Sequence, residues 1–153
     1  MNYYKYSTSI GNIFIYAQNE CITAISVSHS LKQECEYAES PITIQCINEI
    51  NEYLKGERKI FTVPIKIKGT DFQNAVWNEL RKIPYGEVRS YTQIAHAIGK
   101  TKAMRAVGNA NHNNPILIII PCHRVIGSDG KLTGFAAGIE MKRRLLEIEK
   151  HIL

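Results

Sequence analysis

Short apolar runs broken by polar turn residues fill the first thirty positions, which read as strands. Tyr4 to Ile10 and Ile13 to Ala17 flank Gly11-Asn12, a two-residue hairpin signal. Asn19-Glu20 turns the chain again, into a β-branched run from Cys21 to Val27. Residues 29–41 are polar, close on Ser40-Pro41 and read as a loop. From Ile42 the period lengthens. Ile47, Ile50 and Leu54 recur at helical spacing with Cys46 and Tyr53 beside them, and Gly56 ends the helix. Ile60 to Ile67 is extended, with Pro64 marking an edge strand or a bulge. Residues 1–67 thus predict a small α/β domain of structural role.

Lys66-Ile67-Lys68-Gly69 reads as a boundary, and the pattern over 68–153 is mostly helical. Thr70 and Gln73 form a capping-box pair ahead of a stripe of Phe72, Val76, Leu80 and Ile83. Pro84-Tyr85-Gly86 breaks that helix. Ser90 and Gln93 open a second, short one, with Ile94, Ala95 and Ile98 inward and Gly99 as the stop. Thr101 can cap a third, whose face is Ala103, Ala106, Val107 and Ala110. Asn113-Asn114-Pro115 ends it. Ile116 to Ile120 predicts a buried extended run, stopped by Pro121. Gly127–Gly130 and Gly134–Gly138 read as loops. A last helix runs from about Ile139, with Met141, Leu145, Ile148 and Ile152 on one stripe. The fold class is α/β in the α+β sense: a small N-terminal antiparallel sheet with one helix, then a helical domain containing a helix-turn-helix. An ordinary αα-hairpin would give the same short pair of helices.

Charge shifts that balance. The 153 residues carry a net +5. Residues 1–70 are neutral, with seven basic and seven acidic side chains, so the second part carries the whole excess. Residues 81–105 alone hold six basic side chains against Glu87. A localised basic stretch on a helix pair suits a polyanion such as nucleic acid, or a plain solvated face. Hydrophobic residues at 44% and charged residues at 22% exclude a disordered chain. No apolar run approaches a membrane span, and the start lacks a secretion signal. The expected setting is a reducing cytoplasm.

The four cysteines are then free thiols. None sits at C-x-x-C spacing, and no metal site is predicted. Cys21 and Cys46 lie in apolar contexts and read as buried. Cys35 lies between carboxylates that would raise its pKa. Cys122 differs: in Pro121-Cys122-His123-Arg124 it follows the apolar run and stands next to two groups able to favour a thiolate. A working His needs an orienting partner, and Glu147 and Glu149 are both candidates.

The string Ile120-Pro121-Cys122-His123-Arg124-Val125-Ile126 resembles the active-site signature of the O6-alkylguanine-DNA alkyltransferases, also called methylated-DNA–protein-cysteine methyltransferases. Phe72-Gln73-x-x-Val76-Trp77, Ile83-Pro84-Tyr85-Gly86-Glu87-Val88-x-Ser90-Tyr91 and Ala103-x-Arg105-Ala106-Val107-Gly108 extend the likeness across 71–149, in the family's order. The first 67 residues resemble the family only in kind.

The resemblance implies irreversible transfer of an alkyl group from guanine O6 in duplex DNA to Cys122. It implies no cofactor, no membrane, a monomer, and a flipped-out target base; O4-alkylthymine is a possible second substrate. His123 would take the thiol proton through water. Glu149, in Leu145-Leu146-x-x-Glu149, would orient His123. Tyr91 would protonate the departing guanine, and Asn114 would tie the recognition helix to the active-site strand. Arg105 would fill the space left by the flipped base. Ala103, Ala106 and Gly108 would let the helix lie in a groove. Arg89, Lys100, Lys102 and Arg124 would complete the DNA contacts. Residues 68–153 become the DNA-binding and alkyl-acceptor domain.

Pro121, Phe135, Ala136 and Ala137 would line the alkyl pocket. There the sequence departs from the family, which usually has two glycines after the aromatic residue and its neighbour. Ala137 adds a methyl group, predicting a narrower pocket. A protein that only binds damage would lack Cys122, and a transcriptional regulator would need a further module.

Overall fold

The computed structural model describes residues 1–29, 34–132, 135 and 137–150. The chain divides into two compact units, Met1–Ile67 with Pro115–Leu117, and Lys68–Asn114 with Ile118–Leu153. The second unit is therefore not a continuous stretch: Pro115 and the first two residues of the apolar run belong to the first.

The first unit is a four-stranded sheet with one helix. Strands β1 (Asn2–Thr8), β2 (Gly11–Gln18), β3 (Cys21–Ser26) and β4 (Glu36–Tyr37) lie in the order β3-β2-β1-β4. The first hairpin pairs Thr8 with Gly11, so its turn is Ser9-Ile10 and not Gly11-Asn12. Thr8 Oγ1 fixes it, accepting from Ile10 N and donating to Gly11 O at 2.6 Å. The second turn falls where expected. Asn19 and Glu20 both take positive φ, 50° and 60°, as a two-residue hairpin turn of matching twist requires.

Helix α1 (Pro41–Leu54) starts at Ser40, whose side chain caps Thr43, and packs on β2. Ile13, Ile15, Ile22, Cys46, Ile50 and Tyr53 make the core. Each large apolar side chain so buried contributes about 1.5–3 kcal/mol. Cys21 is only half-buried, contrary to its apolar context. Residues 60–67 form no full strand. Pro64 O accepts from Ile22 N, and one isolated bridge joins Ile22 to Ile65.

The second unit packs three helices, α2 (Asp71–Leu80), α3 (Tyr91–Ala97) and α4 (Met104–His112), around Val76, Leu80, Ile94, Ala95, Val107 and Ala110. Both capping boxes form as the sequence indicates, Thr70 with Gln73 and Ser90 with Gln93. The buried Trp77 Nε1 donates to Ala110 O at 2.9 Å and ties α2 to α4. Gly69 makes room for that indole: a Cβ there would collide with the Trp77 ring. Thr101 does not cap α4. The N-cap is Ala103, without a side-chain bond, because residues 101–102 form a preceding turn.

The Ile116–Ile120 run is buried but not extended. Ile116 bridges Ile25, and Ile118 then reverses direction at φ 74°. For a β-branched residue that conformation costs on the order of 1–3 kcal/mol. A 3-10 turn over Cys122–Arg124 follows. Strand β6 (Val125–Ile126) then pairs in parallel with β5 (Arg89–Ser90). Ser90 is also the N-cap of α3, so this ladder fixes the segment after Cys122 to the start of α3. Helix α5 (Ile139–Ile148) packs on the 3-10 turn through a face that includes Lys142, Leu145 and Leu146. Among the described residues no helix is long and apolar enough to cross a membrane.

Candidate functional site

Cys122 opens the 3-10 turn and is 1% exposed. Its amide donates to Ile120 O at 2.8 Å, a tight local bend. Two asparagines reach it, Asn111 from the last turn of α4 and Asn114 from just beyond it. Asn114 Nδ2 donates to Ile120 O at 2.7 Å, and the Asn114 side chain hydrogen-bonds the thiol. Asn111 Nδ2 donates to the carbonyl of Cys122 itself, at 3.3 Å.

Burial pushes the Cys122 thiol up, to about 11. This corrects the expectation of a thiol lowered by its sequence neighbours. Arg124 does not act on the sulfur. The opposing influences are the Asn114 side chain, the ammonium of Lys142 and the amides of Cys122 and His123. At rest the group is a thiol, and its proton must leave as it reacts.

His123 and Glu149 are buried together, Nε2 to Oε2 at 2.6 Å. Burial would raise the Glu149 pKa, but hydrogen bonds and charge from His123 and Arg124 outweigh it and hold the carboxyl far below its ordinary value. An ionised carboxylate only accepts, so Nε2 carries the proton. The His123 pKa is lowered, by burial first and by Arg124 and Lys142 after it, against the pull of Glu149. In the neutral ring that results, Nδ1 holds the lone pair. Glu149 also accepts from Gly86 N at 3.0 Å. Glu147, the other candidate, is exposed.

Arg124, expected on the DNA side, turns inward. Its Nε donates to Glu149 Oε1 at 2.8 Å, and Nη1 donates to Ile83 O at 2.7 Å. It stands over the Tyr85 ring, 5.8 Å from the centroid. It is part of the Glu149 anchorage and is 7% exposed, so it cannot reach a phosphate in this form.

Lys142 was not singled out from sequence. It is fully buried, and its Nζ lies 6.0 Å from the centre of the Tyr91 ring. Burial pulls its pKa down to about 8, against the opposing pull of Cys122. The available signal was a lysine one helical turn ahead of Leu145-Leu146, inside the apolar face. Asn111 was missed too, for want of a pattern that separates it from its exposed neighbours.

The remaining residues divide by exposure. Arg105, Ala106, Lys100 and Lys102 are exposed, and Ala103 and Gly108 are partly so. A Cβ on Gly108 would meet the Tyr91 ring at 3.9 Å, so that face of α4 lies beside the phenol. Arg89 is held by Glu87 at 3.3 Å and by Val88 O. Pro121 and Phe135 are buried, and Ala137 is half-buried. Ala136 and Gly134 lie outside the described residues, as does Ile152 of the last stripe.

The arrangement is a buried thiol, a neutral imidazole with a fixed tautomer, a buried cation and a phenol, with α4 exposing Arg105 nearby. Two family models cover the chain. One, described as the 6-O-methylguanine DNA methyltransferase ribonuclease-like domain, matches residues 1–67. The other, the DNA binding domain of the same methyltransferase, matches 71–151.

The chain belongs to the 6-O-methylguanine DNA methyltransferase family.

Relatives agree with this membership along nearly the whole length. The inducible methylated-DNA–protein-cysteine methyltransferase of Bacillus subtilis is 46% identical over 97% of this chain and 84% of its own. The methylated-DNA–protein-cysteine methyltransferase of Methanosarcina acetivorans is 42% identical over 97% of this chain and 98% of its own. Among solved structures, that of Mycobacterium tuberculosis OGT in complex with DNA superposes with a TM-score of 0.92. It is 42% identical and covers 98% of this chain and 93% of that one. This methyltransferase-family member therefore shares its fold with a relative solved in complex with DNA.

Proposed function

We propose that this chain repairs DNA by moving the alkyl group of O6-alkylguanine onto its own Cys122, once per molecule. The observation that carries this reading is the buried Cys122 with its own base. His123 is held by Glu149 with Nδ1 unprotonated, inside a unit that matches the family's DNA-binding domain.

His123 takes the thiol proton, directly or through an intervening water, and the imidazolium is stabilised by Glu149. The sulfur attacks the saturated carbon, the S–C bond forms, and the C–O bond to guanine breaks. The purine leaves as an anion, and Tyr91 supplies a proton to it. The Lys142 ammonium supports negative charge, first on sulfur and then beside the phenol. General acid–base assistance of this kind contributes about 10²–10⁴-fold. No step regenerates the thiol.

Duplex DNA is the partner, and α3 and α4 form the helix-turn-helix that meets it. Arg105, exposed on α4, occupies the gap left by the rotated nucleotide, which costs a few kcal/mol to extrude. Lys100 and Lys102 contact phosphates without reading sequence. Arg89 reaches a phosphate only by leaving Glu87. The cytoplasm, with reduced thiols and access to DNA, is the proposed place of action. The first unit is proposed to be structural.

The test is stoichiometric. A duplex carrying one O6-methylguanine is mixed with limiting protein and the repaired fraction is followed. Repair should stop at one lesion per molecule. Sustained turnover, or no repair, would contradict the reading.

A further inference from the structure

Asn111 lies in the last turn of α4 and is 1% exposed. Its Nδ2 makes one bond, at 3.3 Å, to the carbonyl of Cys122. Its Oδ1 is buried and, among the described residues, accepts no hydrogen bond. An amide placed this way is a poor stabiliser. One long bond is gained, while a buried acceptor is left unsatisfied, and an apolar side chain of similar shape avoids that loss. The benefit of the amide must be sought in what it holds.

It holds the nucleophile. The carbonyl of Cys122 accepts both from Asn111 and from Val125 N, which closes the 3-10 turn. On the other side of the cysteine, Asn114 fixes Ile120 O. The last turn of α4, through Asn111, and Asn114 just beyond its C-cap therefore grip the backbone at positions 122 and 120, and the thiol is carried between the two grips. The same helix presents Arg105 to solvent one and a half turns earlier. Its place and the place of the sulfur are mechanically one.

We propose that Asn111 is a positioning residue for alkyl transfer: it fixes the Cys122 backbone to α4 so that the sulfur stays within reach of Asn114 and Lys142. The proposal rests on the reading of Cys122 as the acceptor. Asn111 touches neither the sulfur nor the substrate and acts only through the cysteine's main chain.

The test compares wild type with Asn111→Leu and Asn111→Asp on a duplex bearing O6-methylguanine. Single-turnover rate is measured across pH, alongside DNA affinity and Tm. Asn111→Leu should keep or raise Tm, bind DNA as wild type does, and transfer the methyl group at least tenfold more slowly. The alkaline rise of its rate should move to higher pH, because a displaced sulfur loses the groups that favour thiolate. Asn111→Asp, which lacks the donor and adds a negative charge, should be slower still. A Leu variant that transfers at the wild-type rate would overturn the proposal. So would a loss of rate that tracks a loss of Tm with an unmoved pH profile, which is what a purely structural role produces. Absence of transfer in the wild type would overturn the parent reading, and this proposal with it, before any variant is compared.

Discussion

His123 Nε2 and Glu149 Oε2 meet at 2.6 Å with neither side chain exposed to solvent. The pair decides which nitrogen of the neutral imidazole carries the proton. In Glu149→Gln the new amide can accept one bond but turns donors toward His123 or Arg124. The tautomer is no longer fixed, and the Arg124 charge is left buried without its partner. Methyl transfer should fall by about 100-fold or more. Unfolding stability should drop by about 3–5 kcal/mol, measured by urea titration. The sign with pH follows from the lowered carboxyl. Its stabilisation is present above the ordinary value of 4.5 and is lost as the pH falls below it. The variant should therefore lose the Glu149 share of the acid-limb dependence and keep the part due to Glu49, whose carboxyl is also held below its ordinary value.

Lys142 gives the opposite combination. Its pKa falls from 10.5 to about 8, so folding disfavours the charged form. The penalty is complete below pH 8, shrinks as the folded group loses its proton, and vanishes once the unfolded chain has lost its own near 10.5. Lys142→Met should thus be more stable than wild type at pH 7 by about 3 kcal/mol. That margin should fade between pH 8 and 10.5. The same variant should transfer methyl more slowly at every pH below 8, because the buried thiol loses its cation. A variant that is both less stable and equally fast would contradict this account of Lys142.

Arg105 is exposed on α4. Arg105→Ala should leave Tm within about one degree, since surface changes stay within ±0.5 kcal/mol. Transfer from duplex DNA should slow markedly, and transfer from a short single strand much less, because there no base has to be extruded. For the wild type, log affinity should fall linearly with log salt, in proportion to the phosphates contacted. A flat salt response would remove residues 100–105 from the interface.

Ala137 stands where the family usually has glycine, and it is half-buried beside Gly138. If Ala137 lines the alkyl pocket, as proposed, its methyl group narrows the space for large alkyl substituents. Free O6-benzylguanine should inactivate Ala137→Gly faster than wild type, while both accept methyl at similar rates. Equal benzyl inactivation would remove Ala137 from the pocket wall.

Local chemistry made some of this legible in advance. The capping boxes at Thr70 and Ser90 and the turn at Asn19-Glu20 depend on neighbours in sequence, and they form as read. The first hairpin turn lies at Ser9-Ile10, two residues before Gly11-Asn12, where Thr8 Oγ1 accepts from Ile10 N and donates to Gly11 O. The run after Pro115 looked like a strand by its apolar residues, but nothing local announces the positive φ of Ile118. At the site, two glutamates were open on residues alone; the resemblance chose Glu149, and that is the one buried against His123. Arg124 was misplaced because a basic residue beside a reactive cysteine looks like a DNA contact; only tertiary packing shows it turned onto Glu149. Lys142 and Asn111 work through partners twenty and eleven residues away, at Cys122. Periodicity cannot reveal such pairs.

The central claim is that Cys122 itself receives the alkyl group. The direct measurement is the intact mass of the chain after incubation with a duplex carrying O6-methylguanine, followed by peptide mapping. The account predicts a gain of one methyl group per molecule, confined to the peptide holding Cys122. Cys122→Ala should show no gain while still binding the duplex. A methyl group on any other residue, or no gain by a wild-type chain that binds the lesion, would contradict it.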